Sequence, residues 1–97
     1  MTVVLTIYKC GYRLYNGGIC NSLPHGYGKL YNKSNICVYE GLWVKGVREG
    51  EGSAYCNKRG ICIFKGIWKN GKWTDGILYK EGKQNGKITK GKIYLEN

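Results

Sequence analysis

Few residues in this 97-residue chain are of the types that carry out catalysis, and they do not recur together. His25 is the single histidine, and a lone histidine could act as a general base. It precedes Gly26, and Glu49 and Asn85 take the same place in other copies of an internal repeat, with no recurring partner beside them. Because a catalytic base needs a positioned partner, we expect no catalytic role for His25.

Two carboxylates, Glu49 and Glu51, lie two residues apart and could imitate the acid pair of a glycosidase. Glu51 lies between two repeat glycines, where the preceding copy has Tyr27, and this position favours a solvent-facing strand residue. The Gly-x-Gly segments at 26–28 and 50–52 do not open a helix, so they do not predict a phosphate-binding loop. The sequence predicts no catalytic residue, no cofactor and no small-molecule substrate.

The cysteines number five, and none forms a Cys-x-x-Cys pair. With one histidine, a Cys₂His₂ zinc site is impossible. We expect reduced thiols that fill small apolar positions, no bound metal, and an intracellular, reducing compartment. Cys37 and Cys62 occupy equivalent repeat positions, so two strand spacings of ~4.8 Å should keep them too far apart for a disulfide. The cysteines are Cys10, Cys20, Cys37, Cys56 and Cys62.

Glycines and aromatic residues recur at a fixed spacing. Copies of one pattern start at Tyr15, Tyr39 and Phe64, which are 24 and then 25 residues apart. Each start is followed by a glycine at +2 and a large apolar residue at +4. Glycines at +7, +11 and +13 complete the second copy. The third copy departs from the pattern, because the glycine due at position 75 is replaced by Asp75 followed by Gly76.

The repeat predicts a row of β-hairpins. Residues at 0, +2 and +4 share one face of a strand, because side chains alternate with a period of two. A glycine between two rings leaves room for a neighbouring ring to lie against the backbone. Gly46, Gly71 and Gly82 lie in polar stretches that are typical of hairpin turns. No stretch has the periodicity of an amphipathic helix, so the predicted fold class is all-β.

The segment Tyr39-Glu-Gly-Leu-Trp-Val-Lys-Gly-Val-Arg-Glu-Gly-Glu-Gly52 resembles a MORN repeat (membrane occupation and recognition nexus). Residues 64–71 resemble the first half of another copy, and residues 15–28 resemble a third, with Ile19 in place of the second aromatic residue and Ser22 in place of the turn glycine. The resemblance implies an elongated, twisted, single-layer antiparallel sheet with an aromatic groove on one face. It also implies a binding or scaffolding role without intrinsic catalysis. We expect a single MORN-like domain over residues 1–97.

The aromatic stripe is the candidate partner-binding site. A groove of rings could grip a peptide or a helix, but the same rings could simply pack on one another across the strands. Trp73 lies off the motif and could be an exposed interface anchor or an end cap. The candidate groove residues are Tyr15, Tyr39, Trp43, Phe64, Trp68 and Trp73.

The net charge of +10 favours acidic partners. The leading prediction is a non-enzymatic module that binds a protein or a second copy of itself, and the alternative is peripheral association with an anionic membrane. Nucleic-acid binding ranks third, because no nucleic-acid fold motif accompanies the lysines and aromatics. Lipid and nucleic-acid binding should weaken steeply with salt. The candidate basic surface consists of Lys58, Arg59, Lys65, Lys69, Lys72, Lys83 and Lys87.

The N-terminal segment is apolar but too short to span a membrane, and it lacks the basic residues of a signal peptide. We expect an extra strand at about residues 2–8. Because Val3, Val4, Leu5 and Ile7 make it apolar on both faces, this strand or the aromatic face is the expected contact surface for a second copy or another protein. At the C-terminal end of the sheet, lysine charges are expected to oppose pairing with another strand; these are Lys87, Lys90 and Lys92.

Overall fold

A computed structural model describes residues 3–96, which form nine β-strands. Each strand pairs antiparallel with the next strand in sequence, so the sheet order is β1 to β9 without a crossover. The described residues contain no helix long and apolar enough to cross a membrane. The strands are β1 Val3–Lys9, β2 Tyr12–Cys20, β3 Leu23–Tyr31, β4 Cys37–Val44, β5 Val47–Tyr55, β6 Cys62–Lys69, β7 Lys72–Lys80, β8 Lys83–Thr89 and β9 Lys92–Leu95.

The sheet is one layer thick. Its principal extents are 44 × 27 × 15 Å, and nine strands about 4.8 Å apart account for most of the longest one. The predicted all-β fold, an elongated single-layer antiparallel sheet of tandem hairpins, is therefore confirmed. The predicted N-terminal strand is also present, as β1, although Thr2 lies outside the described residues.

Two-residue turns join six of the eight successive strand pairs in residues 3–96. Both turn residues have positive φ, which is the geometry of the type I′ turn that matches the twist of paired strands. Gly46, Gly71 and Gly82 each occupy the second turn position, as the repeat predicts. Ser22 takes this position in the β2–β3 turn with φ of 67°, although it is not a glycine. Longer loops at 32–36 and 56–61 make the other two connections.

A line of paired glycines crosses the middle of the sheet. Each member lies opposite the next on the neighbouring strand, from β2 to β7, in the order Gly17, Gly28, Gly41, Gly52, Gly66 and Gly76. We call this set the glycine line. Gly76 follows its partner by ten residues, whereas Gly28 and Gly52 follow theirs by eleven. The third hairpin therefore keeps its glycine pair by shortening its register by one residue. Gly76 is the counterpart of the +13 glycines Gly28 and Gly52, which would be due at position 77, and not of the +11 glycine due at position 75.

The space beside the glycines of the line is filled either by an aromatic ring or by the backbone of the facing strand. A Cβ on Gly28 would lie 2.0 Å from the Tyr15 hydroxyl. A Cβ on Gly66 would instead lie 2.1 Å from the backbone oxygen of Asp75. The expectation that the glycine at +2 makes room for a neighbouring ring is thus wrong for Gly66, where the facing strand fills the space. Rings lie against the glycines of the following strand.

The core lies on one side of the sheet. Cross-strand pairing places the buried side chains other than Tyr31 on the same side as the rings, on what we call the ring face. Tyr31 shares the opposite side with Tyr27 and Lys29. We call the opposite side the open face. The buried hydrophobic residues are Tyr15, Ile19, Tyr31, Tyr39, Trp43, Ala54, Phe64, Trp68, Leu78 and Ile88.

Candidate protein-binding surface

The predicted groove residues form a continuous row of rings in mutual contact. Trp43 lies edge-on between Tyr15 and Tyr39, with centroid distances of 5.4 and 5.2 Å. Trp68 lies edge-on between Tyr39 and Phe64, at 4.9 and 5.8 Å. T-shaped pairs contribute about 0.5–1.5 kcal/mol each beyond the area they bury. The structure therefore brings together the five motif aromatics as a packed core.

Hydrogen bonds hold the polar tips of the rings against the strands. The hydroxyl of Tyr39 donates to the Leu42 carbonyl at 2.7 Å, and burial raises the pKa of Tyr39 to about 12. The Tyr15 hydroxyl donates to Gly18 O at 2.8 Å in the equivalent way, and burial also raises its pKa. The tryptophans repeat the arrangement: Trp43 Nε1 donates to the Gly28 carbonyl at 3.2 Å and Trp68 Nε1 to the Gly52 carbonyl at 3.0 Å. Edge-on ring contacts and these hydrogen bonds together fix the orientation of the tyrosine and tryptophan rings.

Two residues outside the motif cover the remaining ring surface. Trp73 is half-buried and stacks on Phe64 at 4.6 Å with an interplanar angle of 4°. The Arg48 guanidinium lies 4.9 Å from the Trp68 centroid and 5.6 Å from that of Tyr39. Arg48 was not singled out from the sequence, although its place two residues before Gly50 puts it on the ring face. Trp73 thus continues the row of rings as its last member.

Little ring surface is left for a partner. Tyr39 and Phe64 are 0% exposed, and Trp43, the most exposed of the five motif aromatics, is 7% exposed. A partner could reach these rings only if Arg48 and Trp73 moved. The described structure therefore uses the aromatic stripe to hold the sheet together.

The open face carries exposed apolar side chains. Tyr27, Leu42 and Ile67 are 54%, 41% and 40% exposed. They lie along one side of three shallow depressions of about 400, 360 and 310 Å³, which follow the glycine line from β2 to β6. Residues of the glycine line direct their Cβ positions toward the ring face, so on the open face the line is a groove between the flanking side chains, with apolar residues on one of its walls.

A hydrogen-bonded carboxylate, Glu40, lies on the other wall. It accepts hydrogen bonds from the hydroxyls of Tyr27 and Tyr55, the latter at 2.8 Å, and Lys29 Nζ lies 4.0 Å away. These hydrogen bonds lower the pKa of the Glu40 carboxyl. Burial, followed by the bond to Glu40, raises the pKa of Tyr55 to about 12. The cluster orients Tyr27, the most exposed of the three apolar residues.

Charges of both signs lie on the open face. The middle of this face carries three lysines and three carboxylates, which are Lys29, Lys65, Lys87, Glu40, Glu51 and Asp75. Lys69 and Lys72, which pair with one another two residues beyond Ile67, add positive charge to the same face beside the β6–β7 turn. The apolar row therefore has charged neighbours of both signs.

The predicted basic residues do not form one patch. Lys58 and Arg59 lie in the β5–β6 loop, at the same end of the strands as Lys83. Lys69 and Lys72 flank the β6–β7 turn at the opposite end. The remaining two, Lys65 and Lys87, lie on the open face.

His25 and Glu49, the candidate acid–base residues, hydrogen-bond to turns of the next hairpin. His25 Nδ1 accepts from the Lys45 N–H at 3.2 Å, and Glu49 Oε1 accepts from the Asn70 N–H at 3.0 Å. Asp75 occupies the third such position and accepts from the Lys90 N–H at 3.1 Å. Asn85, which the repeat alignment placed there, does not make this bond. These side chains join successive hairpins.

The cysteines are all free thiols in the structure. Burial raises the pKa of Cys37, whereas backbone N–H groups of Arg59 and Lys58 lower that of Cys56. No cluster of three or more His, Cys, Asp or Glu residues that could hold a metal ion occurs within residues 3–96. A comparison with protein-family models finds none that matches the chain.

Proposed function

We propose that the chain is a non-enzymatic protein-binding module built from MORN-like repeats, which holds its partner on the open face. The observation that carries this proposal is the row of Tyr27, Leu42 and Ile67 beside the groove over the glycine line. Apolar side chains that are aligned beside a preformed groove are typical of a protein-interaction surface.

The rigidity of the sheet supports the same proposal. The packed rings on the ring face fix the backbone beneath the groove, so binding costs little ordering of the module itself. Charges of both signs flank the apolar row, which favours a partner that is recognised mainly by apolar contact and hydrogen bonds. Such binding should change little with salt, whereas binding of anionic lipid or nucleic acid through the lysines should weaken steeply.

The test compares partner capture by three forms of the purified protein. The double variant Leu42→Lys/Ile67→Lys should lose the proteins that the wild type retains from lysate, as quantified by mass spectrometry at low and high salt. Ile93→Lys is the matched control, because Ile93 is 58% exposed but lies at the C-terminal end of the sheet, on β9.

Direct probes separate the alternatives. Vesicles containing phosphatidylserine and a labelled single-stranded oligonucleotide are each titrated with the same three forms. Strong, salt-sensitive binding to either probe that the double variant retains would contradict the proposal in favour of the basic surface. Equal capture by the wild type and the double variant would also contradict it.

A further inference from the structure

Strand β1 ends the sheet with an unpaired edge. Within residues 3–96, no segment pairs with the side of β1 that faces away from β2. Half of the backbone N–H and C=O groups of such a strand point outward, where they can pair with another strand. Val3, Val4, Leu5 and Tyr8 are 45%, 76%, 51% and 68% exposed. The edge therefore combines free hydrogen-bonding groups with exposed apolar side chains.

The side chains of β1 are apolar on both faces. Val3, Leu5 and Ile7 lie opposite Ile19, Gly17 and Tyr15, so they extend the ring face. Val4 lies opposite Gly18 and extends the open face. A strand added to this edge would gain apolar cross-strand contacts above and below the sheet.

Most of β1 lacks the side chains that block edge pairing. Residues 3–8 contain no charged side chain and no proline, and the one lysine of the strand is its last residue, Lys9. The opposite edge, β9, has four residues, begins with Lys92 and follows the turn residue Lys90. This contrast makes β1 the edge that is open to pairing.

The charge of the chain restricts how a second copy can approach. Two copies with +10 each repel one another, so they can associate only where charge is sparse. The nearest cations to β1 are Lys9, at its far end, and Arg13 on β2. Arg13 is bonded to the side chain of Asn35 at 3.0 Å and lies over the Tyr31 ring at 4.0 Å. Residues 3–8 satisfy the requirement for low charge.

We propose that β1 pairs antiparallel with β1 of a second copy, about a two-fold axis at Leu5. This pairing goes beyond the proposed function, because it uses the edge of the sheet and leaves the open face free for the proposed protein partner. Leu5 then faces Leu5 of the other copy, Val3 faces Ile7 and Val4 faces Thr6. Both flanking pairs join β-branched residues, which suit a strand, so the segment is self-complementary about Leu5. The two Lys9 side chains lie eight residues apart, about 27 Å along the strands, well beyond a Debye length of about 8 Å.

Charge reversal at the axis tests the pairing. Sedimentation equilibrium across the micromolar range should show that the wild type is a dimer that tightens with added salt, because salt screens the repulsion of like-charged copies. Leu5→Lys and Leu5→Glu should each be monomeric, and an equimolar mixture of the two should restore a dimer. Leu42→Lys is the matched control, since Leu42 is 41% exposed on the open face, and it should remain dimeric.

A second pair of variants tests the register and does not depend on Leu5. Val4→Lys, at the most exposed apolar position of β1, should be monomeric. Val4→Lys combined with Thr6→Glu should dimerise again, because each new lysine faces a new glutamate of the other copy. Circular dichroism and thermal melting show whether each variant keeps its fold.

Three outcomes overturn the inference. They are a wild type that stays monomeric at high micromolar concentration, an open-ended series of oligomers, or a dimer that Leu42→Lys abolishes and Leu5→Lys leaves intact. Partner capture on the open face is measured separately, with monomeric Leu5→Lys. If the dimer is lost but partner capture is retained, only the β1 pairing is contradicted. If partner capture is lost but the dimer is retained, only the proposed function is contradicted.

Discussion

The glycines of the line exclude side chains for two physical reasons. At Gly52 the space of a Cβ is filled by the Tyr39 ring, whose hydroxyl would lie 2.4 Å away. At Gly66 the space is filled by backbone, with Asp75 O at 2.1 Å and Gly76 Cα at 2.6 Å. A side chain can rotate or be removed by mutation, but a paired strand cannot move without breaking its backbone hydrogen bonds to the neighbouring strand. The two positions should therefore respond differently to the same substitution.

Gly66→Ala should destabilise the protein by more than the ~1 kcal/mol span of strand propensity, because overpacking adds about 1–3 kcal/mol. Truncating the ring two residues away, with Phe64→Ala, should not relieve this cost. Gly52→Ala should cost a similar free energy, but much less in a Tyr39→Ala background. Double-mutant cycles from urea unfolding measure both couplings. Equal coupling at the two sites would refute the distinction, as would a wild-type melting curve for Gly66→Ala.

Glu40 links stability to pH. Its hydrogen bonds from Tyr27 and Tyr55 lower its pKa in the folded state. Its contribution to stability is therefore complete above the unfolded-state pKa of about 4.3, and is lost as the pH falls through the folded-state value. Glu40→Gln should show a smaller fall in melting temperature between about pH 6 and about pH 3 than the wild type. An identical fall in both proteins would assign the acid sensitivity to other carboxyl groups.

At the scale of the elements, three of the six two-residue turns are bound to the strand that precedes their hairpin. The second residue of the turn donates its N–H to a strand carbonyl: Gly46 to Pro24 at 2.8 Å, Gly71 to Arg48 at 3.0 Å and Gly91 to Thr74 at 2.9 Å. The first residue donates to the side chain that follows that carbonyl residue: His25, Glu49 or Asp75. Successive hairpins are thus linked by hydrogen bonds beyond those of their strand pairing.

Asp75→Ala should remove one of these links and leave the Lys90 N–H without its acceptor. The expected cost is about 1 kcal/mol, the usual contribution of a hydrogen bond to stability. Hydrogen exchange of the Lys90 amide should accelerate, while amides of the β4–β5 hairpin should not change. Asp75→Asn is the control, because an amide oxygen can still accept the bond. Unchanged exchange at Lys90 in Asp75→Ala would show that the Gly91 bond alone holds the turn.

The hairpins could be predicted from the sequence because their signals are local. Glycine spacing and alternation fix the strands and most turns, and Asn70-Gly71 specifies its own turn type. The placement of Asp75 could not be derived in this way. It depends on the third hairpin keeping Gly66 opposite Gly76, which is decided by contact between strands. Alignment by spacing alone therefore chose Asn85.

The burial of the rings could not be predicted either. The sequence placed five rings on one face, but it left open whether they line a groove or fill it. Part of their burial comes from Arg48 and Trp73, which lie outside the motif and cover Tyr39, Phe64 and Trp68 from other strands. The apolar row on the open face could not be predicted either, because Tyr27, Leu42 and Ile67 lie outside the repeating aromatic pattern.

The whole molecule is a one-dimensional array with two unlike ends. Each strand contacts its neighbours in the sheet order, so stability should be a sum of neighbouring terms. The five packed motif rings lie on β2, β4 and β6, whereas every residue of β9 is exposed. Local opening should therefore begin at the ends and reach the middle last.

Hydrogen exchange should show both this gradient and the difference between the ends. Amides of β4 to β6 should exchange most slowly and those of β9 among the fastest. As protein concentration rises, amides of residues 3–9 should gain protection, because pairing of β1 with a second copy satisfies its outward N–H groups, while residues 92–95 should not change. Leu5→Lys should remove this dependence on concentration at the N-terminal end and leave the gradient elsewhere intact. If protection rises equally at both ends, copies join β1 of one to β9 of the next. If protection at neither end depends on protein concentration, β1 remains an unpaired edge.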